Sequence, residues 1–181
     1  TAHYYKGEAN LAREDFFGAI TDYSVAIKLD KKKSEAWYKR GVARLQTGDQ
    51  KRSLSDFKKA IRKNSRVPAY WVSRFEIWYE KEKYKKAESD LTMAITLEIE
   101  DDSLLIRRGF LRLEKMENYQ GAIVDFNKAL KSLPENGAAY YGLGLAKYQV
   151  GNIGGACEDW KNAILYGDLR AEEPLSQYCY E

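Results

Sequence analysis

Read for the spacing of its apolar and polar positions, the chain is one unit written five times. Within a unit apolar residues return at helical intervals, as in Ala122, Phe126, Ala129 and Leu130, with polar residues between them. Laying Gly7 on Gly41 superimposes neighbouring units at a step of 34 residues. Ala26, Ala60, Ala94, Ala129 and Ala163 then follow at 34, 34, 35 and 34. The aspartates Asp22, Asp56, Asp90, Asp125 and Asp159 and the bulky Tyr23, Phe57, Leu91, Phe126 and Trp160 keep the same steps. Three series in phase imply a row of stacked helical hairpins rather than one irregular core. Turn chemistry near the middle of most units, such as Thr47-Gly48-Asp49 and Val150-Gly151-Asn152, divides each into two helices, the glycine taking a left-handed conformation. The single extra residue lies between Gly109 and Ala122, which are 13 apart where the other units have 12, and is assigned to the turn after Leu113.

The same spacing sets packing expectations. Small residues such as Gly7 opposite Ala19, or Gly41 opposite Ser53, let paired helices approach closely. Large ones such as Trp37, Phe57 and Trp160 fill the space between units, so each hairpin is stabilised by its neighbours. The third unit departs, with Phe75 at the small place and Leu91 at the aromatic one, and is expected to hold its helices further apart. Lys6, Arg40, Arg74 and Arg108 also recur in phase with the aspartates. They suggest a ladder of ion pairs, for which arginine's planar fork is suited; the alternative is two independent polar stripes reaching solvent. The fifth unit has Leu143 there, so an aspartate near the C-terminal end is expected to lack its partner.

These residues resemble the tetratricopeptide repeat, a 34-residue pattern with a large residue at position 4, small at 8 and 20, aromatic at 24, small at 27 and often proline at 32. The second copy supplies Trp37, Gly41, Ser53, Phe57 and Ala60, and the fifth Tyr140, Gly144, Ala156, Trp160 and Ala163. The fourth has Gly109, Ala122, Phe126, Ala129 and Pro134. The resemblance implies an all-α fold, a right-handed α-solenoid of antiparallel helix pairs forming one domain over 1–181. Repeats are expected at 1–33, 34–67, 68–101, 102–136 and 137–170, with a capping helix over 171–181 in which Pro174 precedes Leu175, Tyr178 and Tyr180. Thr1 falls inside its copy with no polar cap before it, so further repeats upstream are expected.

In this family the first helix of each pair lines a concave groove, and positions 5, 9 and 12 are among the contact places. They give the groove candidates Tyr4, Glu8, Tyr38, Val42, Val72, Glu76, Tyr79, Ile106, Phe110, Tyr141, Leu145 and Tyr148, with Tyr38, Tyr79 and Tyr141 preferred and part of positions 9 and 12 expected to serve packing. An aromatic, apolar groove with two acids suits an extended or helical peptide. The resemblance therefore implies a non-catalytic scaffold for a protein or peptide partner. The family's carboxylate clamp needs cations and asparagines at set places; here stand Tyr4, Glu8, Lys39, Ala69 and Ser73, so the clamp is absent. Two alternatives remain: an RNA-binding helical-repeat protein, disfavoured because the groove lacks basic residues, and a self-associating module of the bacterial envelope.

Composition narrows this further. One histidine and two cysteines leave little for a zinc site or imidazole catalysis, and no phosphate loop or activated nucleophile is present. No enzyme activity, cofactor or metal is expected. No apolar run approaches the ~18 residues of a membrane-spanning helix. Thirty basic against 27 acidic residues give a net charge of +3, too mild for a dedicated nucleic-acid binder. The clusters Lys31-Lys32-Lys33, Lys58-Lys59 and Lys81 to Lys86 read as solvated surface. Cys157, on the fifth second helix, and Cys179, on the cap, are placed either to form a disulfide in an oxidising compartment or to pack as two unlinked apolar residues. The ending Ala156 to Trp160 with Tyr178-Cys179 is similar to that of bacterial envelope proteins of the family, which favours export over the cytoplasm; otherwise the compartment is open.

Overall fold

A computed structural model describes residues 2–97 and 101–179; Thr1 and Tyr180, which figure in the expectations above, lie outside them. Among the described residues there are helices and no strands. Residues Thr1–Leu97 form one compact unit and Glu98–Glu181 another. The first holds α1 (Ala2–Ala12), α2 (Phe16–Leu29), α3 (Ser34–Gln46), α4 (Gln50–Lys63), α5 (Pro68–Glu80) and α6 (Tyr84–Leu97). The second holds α7 (Ser103–Lys115), α8 (Tyr119–Ser132), α9 (Gly137–Gln149), α10 (Ile153–Leu165), a 3-10 turn over Leu169–Ala171 and the short α11 (Glu172–Tyr178). Within each unit every helix packs on the one before it, so the architecture is a succession of hairpins.

Each hairpin turn uses the same local chemistry. A left-handed residue stands in its middle: Gly48 and Gly151 as expected, but Glu14, Glu82 and Glu117 in the other three. The next residue caps the second helix in four of the five, Asp15, Asp49, Asn118 and Asn152 each accepting from the backbone N–H three residues on. The extra residue of the fourth copy is absorbed at the end of α7 rather than in the turn. There the Asn118 N–H reaches back six residues to the Arg112 carbonyl, whereas Asp49 reaches back five to Arg44.

The cores form around one ring per hairpin. Tyr23, Phe57, Phe126 and Trp160 are fully buried. A Cβ added to Gly41 would lie 2.6 Å from the Phe57 ring, and one on Gly109 would lie 2.7 Å from Phe126. The small residue of the first helix thus clears space for the ring at position 24, while Ser53 closes the crossing by donating to the Gly41 carbonyl at 2.8 Å. In the third hairpin the sizes are exchanged: Phe75 is 4% and Leu91 0% exposed, so the bulk has moved from α6 to α5 and the core stays closed. Between hairpins, Trp37 and Trp71 donate their indole N–H to the carbonyls of Lys31 and Ser65 in the preceding loop.

The ion pairs exist as rungs inside hairpins. Arg40, Arg74 and Arg108 each grip the aspartate of their own pair, Asp56, Asp90 and Asp125, through two hydrogen bonds of 2.6–3.0 Å. A second set, at position 11, was not anticipated: Asn10 and Arg44 donate to Asp22 and Asp56 at 2.9 and 2.6 Å, and Arg112 to Asp125 at 2.8 Å. The fifth aspartate does not lack a partner, because Lys147 from the same place lies 2.7 Å from Asp159. In the third hairpin Trp78 occupies position 11, and Arg74 is the cation paired with Asp90 among the described residues. Burial raises the Asp90 carboxyl above its ordinary range, Arg74 opposing; Asp159 is raised in the same way, with Lys147 opposing.

Beyond α10, Ala171 and Leu175 bury against Ala156, Trp160 and Ala163, and Cys157 is bonded to Cys179.

Three outcomes are expected. Leu91→Phe drives a second ring against Phe75 and costs about 1–3 kcal/mol, and Phe75→Ala alone costs about 3–5 kcal/mol. The double variant should recover part of the sum in denaturant unfolding, whereas strict additivity would contradict the exchange of bulk. Reducing the disulfide, which closes a 22-residue separation, should lower stability by roughly 3 kcal/mol in the loop-entropy model, read from melts with and without dithiothreitol. An Asp whose folded pKa is raised contributes stability that is present below its unfolded value and lost as pH rises through the folded one. Asp90→Asn should therefore gain on the wild type between pH 3 and pH 7; a difference that is flat or reversed would refute the burial argument.

Candidate functional site

The twelve groove candidates stand on first helices, those from Tyr4 to Tyr79 on α1, α3 and α5 of one unit and those from Ile106 to Tyr148 on α7 and α9 of the other. All twelve are partly exposed. The register responsible is simple: the face of each first helix turned to its own second helix holds the small residue, and positions 5, 9 and 12 lie beside that face, near enough for Tyr38, Phe110 and Tyr148 to touch Phe57, Phe126 and Trp160 of their own second helices.

In the first unit much of this surface is already engaged. Tyr4 packs edge-on against Tyr23 at 5.8 Å, and the Lys33 ammonium sits 3.7 Å from the Tyr4 ring centre. Glu8 accepts from the Tyr23 hydroxyl and lies 3.3 Å from the Lys39 ammonium. Burial, followed by the nearby Glu8, pushes the Tyr4 phenol up to about 12, and burial with the Glu8 hydrogen bond raises Tyr23 as well. Both phenols are neutral near pH 7. Tyr38 stacks 4.7 Å from Tyr70 and 5.7 Å from Phe57, and its hydroxyl accepts from Ser73 at 3.3 Å. It therefore cements the second and third hairpins as well as showing an edge to solvent. Tyr79 lies between Phe75 and Tyr84, at 5.8 and 5.9 Å. Val42 and Val72 remain as apolar ground between these rings.

In the second unit the groove candidates are met by the chain's own ending. The Arg170 guanidinium lies 4.5 Å from the Tyr141 ring centre and 5.9 Å from that of Phe110, held by two hydrogen bonds to Asp168. Those bonds lower the Asp168 carboxyl and raise the guanidinium. Tyr148 stacks 4.5 Å from Tyr178 and 5.9 Å from Trp160. Phe110 packs edge-on against Phe126 at 5.1 Å. Ile106 and Leu145 border the adjoining core.

The expectation that this face lacks basic residues is thus corrected, because Lys33, Lys39 and Arg170 all reach it. Lys33 and Arg170 both occupy the last place of their copy, where the other copies have Val67, Asp101 and Asn136, so no period announces them. Their charges are already spent on rings and on Glu8 or Asp168. Among the described residues no group of three or more His, Cys, Asp or Glu is arranged to hold a metal, and no helix is long and apolar enough to cross a membrane.

Comparison with known proteins agrees with this geometry. A family model for the tetratricopeptide repeat matches residues 109–173. No curated protein matches the chain in sequence. Among solved structures, the MamA protein aligns over 99% of this chain and 95% of its own at 22% identity, with a TM-score of 0.80. YrrB, described as a TPR protein with an unusual peptide-binding site, aligns over 97% and 90% at 20% identity and a TM-score of 0.83. A tetratricopeptide repeat protein from Parabacteroides merdae aligns over 98% and 71% at 18% identity and a TM-score of 0.81. At such identities the likeness is one of fold, the α-solenoid. The family match runs from within α7 to the start of α11, and the in-phase residues of the other hairpins are similar to it, so the chain has the α-solenoid fold and resembles the tetratricopeptide repeat along its length.

Proposed function

We propose that the protein is a non-catalytic scaffold that holds a protein or peptide partner on the first-helix side of its repeats. The observation that carries this is the shared register of twelve partly exposed, mostly apolar and aromatic side chains on the first helices. A peptide-binding site in YrrB, a protein of the same fold, supports the reading. Function here is display. Stacked hairpins hold the contact side chains in place before a partner arrives, so little conformational freedom is lost on binding. In the first unit Tyr38 cements two hairpins and Val42, Val72 and Tyr79 lie on the same side; in the second Tyr148 packs on Trp160 and Tyr178, with Leu145 at the border of the core.

The test uses the full chain as bait in the extract of its own cells, with captured proteins quantified by mass spectrometry. Val72→Glu together with Leu145→Glu should reduce the captured partner at least about tenfold, since a charge facing an apolar anchor goes unpaired. Tyr38→Phe, which keeps the ring, should leave capture unchanged. Melting curves establish that both proteins are folded. A captured set indifferent to the two glutamates would remove the first-helix side as the binding surface.

A further inference from the structure

The modest net charge conceals a division. Residues 1–97 carry 21 Lys and Arg against 13 Asp and Glu, a net of +8, whereas residues 98–181 carry 9 against 14, a net of −5. The excess is concentrated on the outer face of α4. Its exposed residues are Lys51, Arg52, Ser55, Lys58, Arg62 and Lys63, all but one of them cationic and all within an arc of about 140°. No such arc is required by the repeat. The matching faces of α8 and α10 carry Val124, Asn127, Ile153, Glu158 and Leu165 among their exposed residues.

Two further observations separate this face from ordinary solvated surface. Arg52 pairs with Asp49 at 3.4 Å, but Lys51, Lys58, Lys59, Arg62, Lys63 and Lys86 have no carboxylate within 4.0 Å among the described residues. Like charges at i, i+4, here Lys58 with Arg62 and Lys59 with Lys63, weaken a helix; the helix dipole favours Arg62 and Lys63 in the last turn, and Lys59 sits 4.4 Å from the Trp37 ring centre. The patch also continues onto the next second helix. The ammonium groups of Lys58 on α4 and Lys86 on α6 converge on the Trp78 ring, 5.2 and 4.7 Å from its centre. Two cations from different helices share one ring there.

We infer that the outer face of α4, extended by Lys86 of α6, is a docking surface for an anionic lipid bilayer. Charge complementarity selects the occupant. Among the described residues a second copy of the chain offers no matching face: the exposed acids of the second unit, Glu114, Glu117, Glu135, Glu158, Glu172 and Glu173, are spread over separate elements and interspersed with Lys115, Lys128 and Lys161, and those of the first, Glu14, Asp15, Asp30, Glu35, Glu80 and Glu82, lie singly or in pairs near helix ends. A single-stranded nucleic acid is bound through successive aromatic platforms as well as cations, and the one ring within this patch, Trp78, is already flanked by Lys58 and Lys86. A bilayer of acidic headgroups is a continuous plane of negative charge, and a row of unpaired Lys and Arg on a helix is attracted to it without positional matching. This surface is separate from the first-helix side and independent of the partner bound there.

The experiment is co-sedimentation of the full chain with vesicles of phosphatidylcholine and phosphatidylglycerol, and with vesicles of phosphatidylcholine alone. Binding is expected to the first and not the second, and to fall as salt is raised. The variant K51E/K58E/R62E should lose at least about tenfold in affinity, while K128E/K131E/K161E, of equal charge change in the second unit, should stay within about threefold. Should the first variant fail to fold by circular dichroism, K51Q/K58Q/R62Q carries the same expectation without added repulsion. Absence of binding to the acidic vesicles, equal losses from the two reversals, or retention by the α4 variants would overturn the proposal. So would displacement from vesicles by polyuridylate at equal phosphate concentration, which assigns the face to nucleic acid, or self-association abolished by the α4 changes, which assigns it to a second copy.

Discussion

Every hairpin is organised by one steric condition: a bulky side chain on one helix requires a vacated place on the other. Gly41 and Gly109 lack the atom that would collide with Phe57 and Phe126, and the buried rings then define the distance at which the helices meet. From that distance the remaining contacts follow. Arg40 reaches Asp56 with both edges of its fork because the two helices are close and in register, and Ser53 finds the Gly41 carbonyl for the same reason. The first helices commit one face to this contact, and residues beside it, such as Trp37, Tyr38 and Trp71, pack on the preceding loop or the next hairpin.

The buried rungs are better regarded as devices of register than of net stability. Charges taken out of water recover their hydration only in good geometry, and a well-packed apolar replacement is often no worse. Here the geometry is two-pronged and, in the second and fourth hairpins, doubled by Arg44 and Arg112. The arginines also lie over aromatic faces, Arg40 at 4.8 Å from the Trp37 ring and Arg74 at 5.0 Å from that of Trp71. Each guanidinium thereby ties the carboxylate of its hairpin to the indole that closes the preceding loop. A slip of either helix would break both contacts together.

The fold was legible in the sequence because a steric condition repeated five times writes itself as a period, and the ladder was legible because its arginines and aspartates keep that period. The position-11 partners escaped notice although they keep it too: Asn10, Arg44, Trp78, Arg112 and Lys147 differ in type, and the tryptophan interrupts the series. Turn residues misled in the opposite sense, since glutamate at three of the five left-handed places hides a conformation that glycine advertises. The candidate surface was only half readable. Periodicity places Tyr38 and Val72 on the same side but does not tell that one is stacked on Tyr70 and the other is open ground. Arg170 was unreadable as a neighbour of Tyr141, because the 3-10 turn that delivers it lies outside the periodic helices.

The exchange of bulk in the third hairpin bears on how such a chain can change over generations. Tandem repeats diversify by recombination between copies, and a crossover falling in the turn of one hairpin would marry the first helix of one copy to the second helix of another. Among the other copies that marriage is sterically silent. With the third it is not: α5 brings Phe75 to meet a partner's aromatic ring, and α6 brings Leu91 to a glycine, leaving a void. A breakpoint inside this hairpin therefore carries a steric cost that one between hairpins does not, and α5 and α6 are matched to each other.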